Sequence, residues 1–355
     1  MPETRTAATD APQVSGHTPG PGERGTGPFV RGRDRLRYAV VMGLLVLLAL
    51  GFTAGILAYD NPMPVGTDGF WRIAELRATS IAVILVVAFC HAFATVSFQT
   101  ATSNRIITPS IMGFEALYVV VQTGAVFFLG ASGVAAVTGT AQFLLQAGLM
   151  VVVATILYGW LLSGRFGSIH IMLLVGVILG GGLGSLSTFM QRLLTPSEFD
   201  ILTARLFGNI GNADAAYLPY AVPIALAAGG ALWWRARRLD VLALGRDATT
   251  NLGLNHRREV IVVLVLVSVL MAMTTSLVGP MTFLGFLVAM LAYQFADTYD
   301  HRLLLPMAFL LGYVVLSGAY FVLRHVFYAQ GMVTIIIELV GGLTFLVYII
   351  RKGRL

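Results

Sequence analysis

One cysteine, one lysine and few charges of either sign set the first limits on this chain. Cys90 is the only cysteine in 355 residues, so an intrachain disulfide and a cysteine-based metal cluster are both impossible. Lys352 is the only lysine and is followed by Gly353. A phosphate-binding P-loop needs Gly-Lys-Ser/Thr between a strand and a helix, so the chain cannot supply one. If ATP drives this protein, the ATPase is another polypeptide. Charged residues make up 11% of the sequence, where soluble domains average about 25%. Hydrophobic residues make up 57%, and the mean hydropathy is +0.82. No soluble fold hides that much apolar surface behind so few charges, so the chain reads as an all-α integral membrane protein. The six histidines are scattered and form no HExxH pair, which leaves a membrane metalloprotease without support. No metal or cofactor site is expected. The pI of about 9.7 does not point to nucleic acid, because the basic residues sit at the edges of apolar runs.

Residues 1–37 are polar and rich in Gly, Pro, Thr and Arg, and they read as a disordered basic tail rather than a signal peptide. Ten apolar segments follow within a 38–351 membrane domain. They run Tyr38–Ala58, Thr79–Thr100, Ile111–Gly130, Gln142–Leu162, His170–Gln191, Ala216–Trp234, Val260–Val278, Met281–Ala296, Leu304–Leu323 and Met332–Ile350. Most approach the ~20 residues that cross the hydrocarbon. Only Gly279-Pro280 separates the seventh from the eighth. Residues 352–355 form a short second tail. Ten spans place both termini on one side. With the termini cytoplasmic, the inner segments hold 18 of the 23 basic residues and the outer segments hold Arg72, Arg77, Arg192, Arg205 and Arg324. That asymmetry is the positive-inside pattern.

The longest inner loop, 235–258, reads RARRLDVLALGRDATTNLGLNHRR. Its apolar residues Leu239, Val241, Leu242, Leu244, Leu252 and Leu254 alternate with polar ones, Gly245 and Gly253 break it, and Asp240 and Asp247 are possible N-caps. This pattern predicts two short amphipathic helices. They serve either as an interfacial element on headgroups or as a docking element for a cytoplasmic partner. On the fifth span, Gly176, Gly180 and Gly184 recur every fourth residue. That spacing suits close helix packing or a helix lining a wide pathway. His91, Glu115 and Glu338 lie at membrane depth, with Gln99 and Gln122 as polar company. Such groups face protein or water. Glu115 reads as a local structural acid; Glu338 either lines a polar route or is held by neighbours. The outer Arg72, Arg77 and Arg324 either contact headgroups or dock an acidic protein. No series of buried charges suggests a proton relay, which weighs against an ion-coupled secondary transporter.

With those residues in place, the sequence resembles the iron-chelate branch of bacterial ABC-importer permeases, the family that also includes the cobalamin permease. The likeness covers roughly residues 38–351. RIAELRATSIAV is similar to the family's arginine-containing approach to the second span, with Arg77 at the matching arginine. FQTATSNRIITPSIMGFEALYVVVQT resembles its Gln…Asn-Pro-Leu-Ala…Pro…Leu-Gly segment, with Gln99, Asn104, Pro109 and Gly113 matching. LDVLALGRDATTNLGL resembles its coupling helices. SLVGPMTFLGFLVAML resembles its Gly-Pro…Phe-x-Gly hairpin, with Gly279, Pro280, Phe283 and Gly285 matching. TIIIELVGGLTFLVYII resembles its last span. Two departures, Arg105-Ile106-Ile107 for Pro-Leu-Ala and Ala289-Met290 for Pro-His, look like the ferric-siderophore subgroup whose two permease chains differ.

The resemblance implies a type II ABC-importer permease fold in the bacterial cytoplasmic membrane. It implies a second, different permease subunit, two ATPase subunits and an extracytoplasmic siderophore-binding lipoprotein. Asp240, Leu244, Gly245, Asp247, Leu252 and Gly253 would couple to the ATPases. Asn104, Arg105, Ile106 and Gly164 would form an inner gate, the last in the Ser163–Ser168 loop. Gly176, Gly180, Gly184 and Glu338 would line the pathway, and Arg72, Arg77 and Arg324 would dock the binding protein. The cargo would be a ferric siderophore, with cobalamin or haem as the alternatives. No covalent chemistry is expected of the chain.

Overall fold

The computed structural model describes residues 27–29, 32–136, 139–163, 169–206, 210–328 and 332–352, and among these it contains no strand. The helices are α1 (Gly32–Ala58), α2 (Asp68–Ala101), α3 (Glu115–Ala136), α4 (Thr140–Ser163), α5 (Ile169–Gln191), α6 (Pro196–Leu206), α7 (Leu218–Trp234), α8 (Ala236–Leu242), α9 (Arg246–Asn251), α10 (His256–Val278), α11 (Leu284–Ala296), α12 (His301–His325) and α13 (Val333–Lys352). A π-helical turn, Ser110–Phe114, leads into α3. Eight of these described helices are long and apolar enough to cross a membrane, and Leu284–Ala296 and Val333–Val347 are shorter apolar helices. Each of the ten apolar segments of the sequence is largely helical, the eighth only from Leu284 onward.

Polar residues start the apolar helices. The Thr67 hydroxyl accepts from the amide of Phe70 at the head of α2, Asn255 accepts from Arg258 at the head of α10, and Asp300 accepts from Arg302 at the head of α12. Each satisfies an amide that a helix N-terminus leaves open. The same logic builds α6, which the hydropathy of the sequence did not reveal. Thr195 precedes Pro196 at the first helical position, and the Glu198 carboxylate accepts from the Thr195 amide at 2.9 Å and hydroxyl at 2.8 Å. Those two donors hold the Glu198 carboxyl below the usual carboxylate range. The helix then lays Leu202 against Val126 and Val134 of α3.

The helix α2 is the axis of the bundle. It has 34 residues, about 51 Å at 1.5 Å per residue, and every residue from Ala92 to Thr102 is buried. It packs against α7, α10, α11 and α12. It begins eleven residues before the predicted Thr79, and the added turns carry Arg72, Glu75 and Arg77. At one end of the bundle, the His301 ring bridges α2 and α8: Nε2 lies 2.7 Å from the Thr100 hydroxyl and Nδ1 lies 2.6 Å from Asp240. This end also carries the 235–258 arginines. At the opposite end, Tyr59, which follows α1, meets the ring of His325 at the close of α12.

Between α10 and α11 the chain turns inside the protein. α11 has 13 residues, about 20 Å long, against a hydrocarbon thickness of about 30 Å. The turn sits level with the middle of its neighbours: the Thr275 hydroxyl lies 3.8 Å from the Met150 sulfur of α4, and Phe283 packs on Gly341 of α13. Gly279 has φ +86°, which a residue with a side chain rarely adopts. Irregular backbone at this depth survives only where protein satisfies it. The Glu115 carboxylate does so, accepting from the Met281 amide at 3.1 Å and from the Thr282 hydroxyl.

Candidate functional site

The basic end presents a small helical module. α8 buries Ala236, Leu239 and Leu242 against the rest of the bundle. Arg235, at the N-cap of α8, and Arg238 within the helix both pair with the largely buried Glu259 at the head of α10, Arg238 at 2.8 Å. Gly245 (φ +92°) turns the chain into α9, and Gly253 (φ +83°) turns it out again. The buried Thr249 hydroxyl donates to Val241 at 3.1 Å and to Gly245 at 2.6 Å, which locks α9 to α8. What this frame leaves outward is Leu244, 65% exposed, and Leu252, 61% exposed, flanked by exposed Arg246, Asp247 and Gly253. Two large apolar side chains on a pinned polar module form a contact surface rather than a core element. Asp240 is different: its carboxylate is spent on the backbone amide of His301 at 3.0 Å and on the His301 ring. Its place is a tether between α8 and α12. Thr249, Glu259 and His301 were not singled out in the sequence, and their partners lie 4 to 201 residues away.

The segment after α2 is equally well held. Asn104 accepts from the amides of Ile106 at 2.9 Å and Ile107 at 3.2 Å, an Asx turn. Gln99 donates to the Arg105 carbonyl at 2.8 Å. The Arg105 guanidinium sits 4.5 Å from the centre of the Tyr293 ring on α11, a cation–π contact. Arg105 and Ile106 are exposed at the basic end. Gly164, with the rest of 164–168, lies outside the described residues.

The fifth-span glycines divide into two groups. Gly176 and Gly180 are packing positions. A Cβ on Gly176 would lie 2.8 Å from the Met112 side chain, and one on Gly180 would lie 3.1 Å from the Cα of Gly113. Gly113 itself has φ +99°. These two glycines let α5 seat on the π-helical turn before α3, so they face the bundle and not open space. Gly181, Gly182 and Gly184 have nothing within 4 Å of a notional Cβ. They lie beside exposed Ile178, Ser185 and Phe189. Glu338 is exposed on α13, between exposed Ile335 and Leu339. Elsewhere at membrane depth, Gln122 bonds Gln146 across α3 and α4, and His91 is fully buried on α2.

At the opposite end the three arginines separate. Arg77 is buried, and its guanidinium donates to the carbonyls of Ile56 at 3.1 Å, Tyr59 at 2.7 Å and Asp60 at 3.0 Å. It closes the C-terminus of α1, so it is not available for docking as its sequence position suggested. Arg72 is exposed. Arg324 is exposed and donates to the Tyr320 hydroxyl at 2.8 Å.

A multi-pass helical bundle, with a turned-back hairpin at membrane depth and a pinned amphipathic module at one end, defines a membrane transport protein of the permease class. Residues 40–352 match the FecCD transport family, and the chain belongs to that family. It is 47% identical over 332 residues to the petrobactin import system permease protein FatC of Bacillus anthracis, covering 94% of each chain. It is 32% identical over 325 residues to the petrobactin import system permease protein YclO of Bacillus subtilis (strain 168), covering 91% of this chain and 99% of that protein. The fold matches the solved structure of a metal-chelate type ABC transporter in an inward-facing conformation, with TM-score 0.75 at 20% identity, over 88% of this chain and 99% of the other.

Proposed function

We propose that this chain is one of two permease subunits of an ATP-driven importer that brings a ferric siderophore, petrobactin first among the candidates, into the bacterial cytoplasm. The observation that carries the mechanism is the pinned α8–α9 module with Leu244 and Leu252 outward. Two ATPase subunits would seat on it from the cytoplasmic side, where the positive-inside pattern puts the basic end. A rigid module passes a push from its surface into α10 through Glu259 and into α12 through Asp240 and His301. Those contacts would rock the bundle between outward and inward states. The cargo class rests on the two petrobactin permeases that this chain resembles.

In this reading a second, different permease chain covers α5 and α13. The open Gly181–Gly184 stretch and Glu338 then face the pathway, whereas Gly176 and Gly180 stay inside this subunit. The loop with Asn104, Arg105 and Ile106 contributes the inner closure. Arg72 and Arg324 offer cations to an acidic patch on the extracytoplasmic lipoprotein.

Uptake of radiolabelled iron–petrobactin tests the reading in cells lacking this gene, complemented by wild type or by Leu244→Glu. Wild type should restore ATP-dependent uptake, and Leu244→Glu should reach the membrane in normal amount and restore none. Restoration by both would remove the module from the mechanism. Uptake that survives ATP depletion and collapses with the proton gradient would replace the importer with an ion-coupled transporter.

A further inference from the structure

α2, α7 and α12 enclose a groove of about 330 Å³ lined by Leu85, Phe89, Phe93, Leu226, Trp233 and Phe309, with Pro306 and small α7 residues completing its wall. Every lining side chain is apolar apart from the indole nitrogen of Trp233. The groove has a built floor. The Phe89 ring stacks 4.3 Å from Phe93 and meets Phe309 edge-on at 5.7 Å. Gly229 lets that ring lie directly against α7, since any Cβ there would overlap it. The groove also has a defined length. From Val222 to Trp233 it follows eleven residues of α7, about 16 Å of rise. That is about half of the ~30 Å hydrocarbon, the depth of one leaflet.

Its ends are unlike. The deep end is apolar. The other end carries Trp233, with its neighbour Trp234 85% exposed, and a ring of this amphipathic kind marks the headgroup level. Next to it, α8 touches all three helices of the groove, and Arg237 of α8 is exposed and three residues beyond the end of α7. A greasy slot one leaflet deep, with tryptophan at its mouth and a cation just beyond, matches one class of ligand.

We propose that this groove is a specific site for an anionic phospholipid, one acyl chain lying along Leu85, Phe89 and Leu226 and the phosphate near Arg237. The chain would complete the packing between α2, α7 and α12. The headgroup would rest on α8, the element that also presents the proposed ATPase surface. The site does not depend on which cargo the importer carries.

The test is native mass spectrometry of the full chain, purified in detergent and titrated with dioleoyl phosphatidylglycerol or dioleoyl phosphatidylcholine. Wild type should retain one phosphatidylglycerol at least tenfold more tightly than phosphatidylcholine. Leu226→Trp fills the groove from a half-exposed position and should abolish retention of both lipids. Arg237→Gln should remove the preference between them while leaving the acyl-driven retention. Brominated phosphatidylglycerol should quench Trp233 fluorescence in a protein whose other three tryptophans are phenylalanine. Retention unchanged by Leu226→Trp, equal retention of the two lipids by wild type, a preference that survives Arg237→Gln, or no quenching of Trp233 would each overturn the proposal.

Discussion

Replacing Arg77 separates a structural arginine from a docking one. Its guanidinium reaches three carbonyls at the end of α1, and the bond to Ile56 is the buried one. A hydrogen bond to a charged group contributes about 1.5–3 kcal/mol. The carbonyls of Tyr59 and Asp60 belong to exposed residues and can recover water, so each counts for about 0.5–1 kcal/mol. Arg77→Met should therefore cost about 2.5–5 kcal/mol. At about 2–4 °C per kcal/mol, the apparent melting midpoint in detergent should fall by about 5–20 °C. Arg77→Lys is the decisive comparison. It keeps the charge but lacks the planar fork that spans several acceptors, so it should melt close to Arg77→Met. Arg72→Met and Arg324→Met should melt within about 2 °C of wild type, as exposed substitutions do. If Arg77→Lys restored the midpoint, or Arg77→Met did not lower it, charge and not the fork would be the working feature, and the assignment to the α1 terminus would fail.

Glu115→Leu leaves the Met281 amide buried without its acceptor, which costs about 1–3 kcal/mol; Glu115→Gln, which keeps an acceptor, should lose less, and equal thermal midpoints would contradict the role given to this carboxylate. Asp240→Ala should lower thermal stability by freeing α8 from α12, whereas Asp247→Arg should leave stability intact and weaken ATPase association in a pull-down from membranes. Leu252→Glu should behave as Asp247→Arg does, with more than tenfold loss of association, because it adds a charge to an apolar contact without touching the core.

How far the sequence reveals this molecule depends on how far apart the interacting residues are. Apolar runs are local, so all ten segments were legible, and so was the amphipathic 235–258 loop with its two glycine breaks. α6 was not, because its evidence is a three-residue cap and a single buried Leu202. Side-chain partners are not local. Glu115 and Met281 are 166 residues apart, Asp240 and His301 are 61 apart, and Arg77 and Ile56 are 21 apart. The glycine spacing of α5 was visible, but which glycines face Met112 and Gly113 depends on how α5 rotates against a turn 64 to 67 residues earlier. Sequence spacing offered packing and pathway as alternatives; the fold gives packing to Gly176 and Gly180 and leaves Gly181, Gly182 and Gly184 open.

Four charged side chains set into the bundle follow a rule that Glu338 does not. Helix ends carry partial charge, positive at the N-terminus and negative at the C-terminus. Arg77 sits at the C-terminus of α1, Asp240 at the first amide of α12, Glu259 in the first turn of α10, and Glu115 on the backbone leading into α11. Each sign fits its helix end. Glu338 fits none: it lies mid-helix on α13, exposed, with no hydrogen bond or ion pair among the described residues. A carboxylate at membrane depth needs protein or water around it, and among the described residues it has neither a helix end nor a cation. In the proposed importer its surroundings would be completed by the second permease chain or the water-filled pathway. Glu338→Leu should accordingly leave the melting midpoint of the isolated chain within about 2 °C of wild type and reduce siderophore uptake more than tenfold. A drop in midpoint with uptake falling only in proportion to protein amount would place Glu338 among the residues that hold this subunit together, and would remove it from the pathway.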